Sequence, residues 1–141
     1  MCPRTEVVDA SLRLLRIIRA ALLGFVVLYA AMGELEGPKE PKDVKQMQLI
    51  LMVLAVSVVV TLSICRQVKI RPAEDTLRSQ PEDAVALARW RAGNIVTFVV
   101  AEAVALYGLV LRFLGGTFLQ ALPFYTAAAV LMLVFTPRRP E

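Results

Sequence analysis

The sequence predicts an all-α fold, an integral membrane bundle of four transmembrane helices arranged as two antiparallel hairpins. Three observations carry this reading. Four long apolar runs, at about 14–33, 48–65, 92–114 and 118–136, alternate with stretches where charge, Gly and Pro gather. The chain is 57% hydrophobic yet 20% charged, and a soluble domain would intersperse those charges instead of clustering them. Finally, twelve of the sixteen Lys and Arg residues fall in the two termini and the 66–91 stretch, which by the positive-inside rule puts both termini in the cytoplasm of a multi-pass cell (inner) membrane protein.

The chain reads as one membrane domain, 1–141. Its first element begins as an amphipathic cytoplasmic extension (5–16) and becomes a span. Arg13, Arg16 and Arg19 recur every third residue and form a stripe that can snorkel to the headgroups, while Leu12, Leu15 and Ile18 turn inward. Ala30, Ala31, Met32 and Gly33 make a poor cleavage site, so this reads as an uncleaved first helix. Residues 33–47, with two glycines, two prolines and alternating Glu and Lys, predict a loop, with Pro41 opening the next helix. The second span is rich in Val, Leu and Met. Its Ser57, Thr61 and Ser63 hydroxyls can bond their own backbone or a neighbouring helix.

Residues 66–91 form the longest polar stretch. Within it, Ser79 followed by Pro81 and Glu82 fits a capping box, so the third helix should begin near residue 80 in the cytoplasm. This second extension, 80–91, carries the interface cations Arg89 and Arg91, sets Trp90 at the membrane surface and allows a kink near Gly93. After Arg112, the pair Gly115 and Gly116 predicts a tight turn into a fourth span, which holds Pro123 one turn in and a small-residue run, Ala127 to Ala129.

The run 93–114 is the one to which chemistry attaches. Its 22 residues make about 33 Å of helix against a hydrocarbon slab of about 30 Å. It carries Glu102, the only acidic residue inside the long apolar runs, close to the midplane. An ionised carboxylate there costs at least a few kcal/mol, so it must face protein or water, or hold a proton. Ser57 and Thr126 lie at a similar predicted depth and are its first candidate partners. Tyr29, Tyr107 and Tyr125 stand about a turn further outward. Ala101 with Ala105, and Ala20 with Gly24, are small pairs that suit close helix packing.

The chain has no histidine, which excludes histidine-based triads, histidine metal ligation and histidine haem ligation. Cys2 and Cys65 fall on the reducing side, Cys65 as a small filler at a helix end. No cofactor, metal site or catalytic residue is expected. No basic run is interleaved with aromatics, which argues against nucleic acid. The expected partners are the lipid bilayer and either a larger membrane complex or further copies of the chain.

Residues 101–110, AEAVALYGLV, resemble the carboxylate-bearing helix of the proteolipid c subunits of rotary ATP synthases. The resemblance implies an ion-binding role for Glu102. The preceding span, however, lacks the glycines of that family's partner helix. Two readings follow. One is a non-catalytic accessory or self-associating bundle with Glu102 as polar glue; the other is a proton- or cation-translocating component that uses Glu102.

Overall fold

The computed structural model describes residues 3–38, 40, 42–80 and 83–137, with side chains from Val8 onward. It is all-helical, without strands among those residues. The elements are α1 (Pro3–Glu36), α2 (Lys45–Cys65), a π-helical turn (Arg66–Ile70), α3 (Arg71–Ser79), α4 (Ala84–Phe113) and α5 (Phe118–Val134). Pro41, Pro81, Glu82, Cys2, Arg138 and Arg139 lie outside the described residues.

Three stretches are long and apolar enough to cross a membrane: Val8–Glu36, Lys45–Ser79 and Ala84–Phe113. The fourth, α5, has 17 residues, or about 26 Å of helix, at the lower edge of spanning length.

Helix α4 is the axis of the molecule. Every other helix packs on it, and its buried face runs through Asn94, Phe98, Ala101, Ala105 and Gly108 at helical spacing. Small residues are why it can take so many neighbours. A Cβ added at Gly108 would lie 3.0 Å from Tyr125 Cε1 and 3.2 Å from the Ala121 carbonyl, so α4 and α5 approach almost backbone to backbone. The two are joined by the expected tight turn, in which Gly115 adopts a φ of 100°, a conformation only glycine takes readily. Thr117 opens α5 with a reciprocal capping box to Gln120.

Helices α1 and α2, expected to pack as the first hairpin, do not touch among the described residues. Their connection crosses the α4–α5 turn, where the Lys42 amide donates to the Gly115 carbonyl at 3.0 Å. Chain proximity favours a hairpin, but the small-residue surface belongs to α4 and takes both helices. The pair Ala101 and Ala105 is fully buried, whereas Ala20 and Gly24 are exposed and Gly24 has open space around it.

Two expected loops are partly helical. Helix α1 continues through Gly33 to Glu36, because Gly33 sits against Arg112 and Tyr125 and Glu34 is held by an ion pair. The 66–79 segment continues α2. Pro72 lacks an N–H and its ring would meet the carbonyl four residues back, and the ladder widens just before it: the Arg71 amide donates to Arg66, five residues earlier. Ile70, Ala73 and Leu77 then bury one face of this extension against Leu15 and Trp90. Asp83, rather than Ser79, caps α4, its Oδ1 accepting from the Val85 and Ala86 amides at 2.8 and 3.1 Å; Ser79 ends α3 and bonds backward to Thr76. No break occurs at Gly93. Its missing side chain instead admits Ile70, whose Cγ1 would lie 2.6 Å from an added Cβ.

Candidate functional site

Helices α1 and α4 run side by side, and in the second half of each the Tyr29 hydroxyl donates to Glu102 Oε1 at 2.7 Å. The fully buried Ala101, Val104 and Ala105 on α4 bring the two helices close enough for this bond. Phe25 stacks on Tyr29, with ring centroids 6.2 Å apart, and fixes the phenol's direction. Glu102 is half-buried, on the flank of α4 instead of its core face.

The other expected partners do not reach it. Ser57 donates to the Val53 carbonyl, and Thr126 to the carbonyls of Leu122 and Pro123, all within their own helices and exposed. A hydroxyl one turn from a free carbonyl satisfies itself locally, so equal depth did not make a pair. Tyr107 packs half-buried against the core. Tyr125 is buried, and its hydroxyl has no hydrogen-bond partner among the described residues.

A second tie closes the far end of the same two helices. The Arg112 side chain is only 11% exposed; its Nε donates to Glu34 Oε1 at 2.7 Å and its Nη1 to the Gly116 carbonyl at 2.6 Å. Charge counting puts Arg112 among the four cations on the side opposite the termini and names no partner for it. The signal was there: an acid and a base each ending an apolar run at matching depth.

At the opposite end two arginines hold the end of α5. Arg19 Nη1 donates to Thr136 Oγ1 at 2.5 Å, and Arg66 lies over the Phe135 ring, 4.8 Å from its centroid. Of the expected interface cations, Arg13, Arg16 and Arg89 are exposed and Arg91 is half-buried, whereas Arg19 is structural. Trp90 was expected at the membrane surface, but at 0% exposure it fills the core beneath α1 and α3, because the π-helical turn and α3 cover it. Cys65 is exposed instead of filling a helix end.

The arrangement ties helices together chemically. Tyr29 with Glu102, Arg112 with Glu34 and Arg19 with Thr136 pair across the bundle, and among the described residues no three His, Cys, Asp or Glu side chains gather to hold a metal ion. Comparison with family models, curated proteins and solved structures gives no match.

Proposed function

We propose that the chain is a small multi-pass integral membrane protein that acts without catalysis, through helix–helix association, as an accessory subunit of a larger membrane complex or as a homo-oligomer. It crosses a cell (inner) membrane four times with both termini cytoplasmic. Helices α4 and α5 form an antiparallel hairpin, while α1 and α2 flank α4. The exposed apolar side chains of α2, among them Leu49, Val53, Val56, Val60 and Ile64, suit acyl chains or a partner helix.

The observation that carries this reading is the Tyr29–Glu102 bond, which engages the one acid of the apolar runs as a tie between helices. Glu102→Gln keeps an acceptor for Tyr29 and should leave assembly in mild detergent unchanged, whereas Glu102→Leu should loosen it. Vesicles holding the wild type should show no proton or sodium flux that Glu102→Gln abolishes.

The second reading is a proton- or cation-translocating component. It is favoured by the partial exposure of Glu102, by its Oε2, which bonds nothing among the described residues, and by the likeness of residues 101–110 to the proteolipid helix. A flux lost in Glu102→Gln with the fold intact would select it.

A further inference from the structure

A cleft of about 630 Å³ opens between the α2–α3 junction and the first half of α4, away from the Glu102 tie. It has two chemically distinct ends. Toward the middle of the bundle its walls are apolar, with Leu62 on α2 and Val96 on α4. Toward the outside it is lined by Arg66, Lys69 and Arg89.

None of these cations forms a contact ion pair among the described residues, although Glu74 lies near enough to Arg66 to act on its charge. Lys69 and Arg89 are exposed and form no ion pair among the described residues. Arg66 is pressed over Phe135, and its Nη1 is buried without a hydrogen-bond partner. Among the described residues the one acid lining the cleft, Asp83, already accepts two amides as the cap of α4. The hydroxyls of Thr76 and Thr97 donate to backbone carbonyls of their own helices. Three positive side chains thus line a space that continues into an apolar slot.

We infer that this cleft is a binding site for an anionic phospholipid, its phosphate held between Arg66, Lys69 and Arg89 and an acyl chain laid along Leu62 and Val96. Basic pockets between spans on the positive side of a membrane protein recognise anionic headgroups in this way. A free phosphate would use the cations but leave the apolar slot empty. The inference rests on the membrane reading above, and the experiment separates the two.

The full chain, purified in mild detergent, is mixed with equal phosphatidylglycerol and phosphatidylcholine, and retained lipid is read by native mass spectrometry. Phosphatidylglycerol should be retained preferentially. The double variant K69Q/R89Q, at two exposed positions that leave the fold intact, should weaken its retention about thirtyfold without changing phosphatidylcholine. R13Q/R16Q, which removes the same charge from exposed positions outside the cleft, should leave retention unchanged. Equal retention of both lipids, an equal loss in R13Q/R16Q, or full displacement of phosphatidylglycerol by millimolar inorganic phosphate would overturn the assignment. A chain that stays monodisperse without detergent would instead overturn the membrane reading itself.

Discussion

Arg112 and Glu34, 78 residues apart, meet at 2.7 Å where α1 and α4 end together, and the arginine is the buried member of the pair. The two are not equivalent. Glu34 is 48% exposed at its side chain and stays solvated if its partner is lost, whereas Arg112 also serves the Gly116 carbonyl in the α4–α5 turn. Arg112→Leu is therefore expected to cost ~1–3 kcal/mol, because it orphans a buried carbonyl as well as the ion pair. Glu34→Gln, which removes half of a screened pair, should cost under ~1 kcal/mol. Detergent unfolding followed by circular dichroism gives both values.

Two helical glycines should respond to alanine in opposite directions. At Gly93 a Cβ would meet Ile70 Cγ1 at 2.6 Å, and Ile70 is buried, so Gly93→Ala is expected to destabilise by ~1–3 kcal/mol. At Gly24 nothing lies within 4 Å, and Gly24→Ala should stabilise by up to ~1 kcal/mol through helix propensity alone. Thermal melts of the two variants side by side check the close approach of the π-helical turn to α4. Adding Ile70→Ala to Gly93→Ala should recover part of the steric cost.

Capping separates the observed start of α4 from the one its sequence suggests. Asp83→Ala should cost ~1 kcal/mol, because two amides lose their acceptor. Ser79→Ala should stay within ~0.5 kcal/mol, since that hydroxyl only bonds back into α3. Amide exchange at Val85 and Ala86 reports the first loss directly.

The connections give a topology test. With Cys2 and Cys65 replaced by serine, Lys42→Cys, beside the α4–α5 turn, should react with a membrane-impermeant maleimide added outside intact cells, and Arg78→Cys only after permeabilisation. Labelling of both from one side would contradict the crossing of α2.

The helices themselves were legible because nothing else accounts for apolar runs of that length between Gly- and Pro-rich stretches. Tyr29 was among the named partners of Glu102, and Ala101 with Ala105 were read as a packing pair, because depth along a helix and side-chain size can be counted from sequence. Which neighbour each helix takes could not be. Adjacency in the chain pointed α1 to α2, but close approach is set by Gly93, Ala101, Ala105 and Gly108, all on α4. Charge counting assigns each cation a side of the membrane but no partner, and so hid the burial of Arg112 and the engagement of Arg19 and Arg66 at the end of α5. In 66–79 the density of charge masked Ile70, Ala73 and Leu77, whose spacing of three and four residues marks a half-buried helix.

The tie between α1 and α4 is tested most directly by a double-mutant cycle on Tyr29 and Glu102. Stability of Tyr29→Phe, Glu102→Leu and the double variant is measured in detergent micelles. The account expects a favourable coupling of about 0.6 kcal/mol, the average for hydrogen bonds between membrane helices, and no more than about 1.7 kcal/mol. Independent, additive effects would contradict it, and would leave Glu102 without a role in holding the helices together.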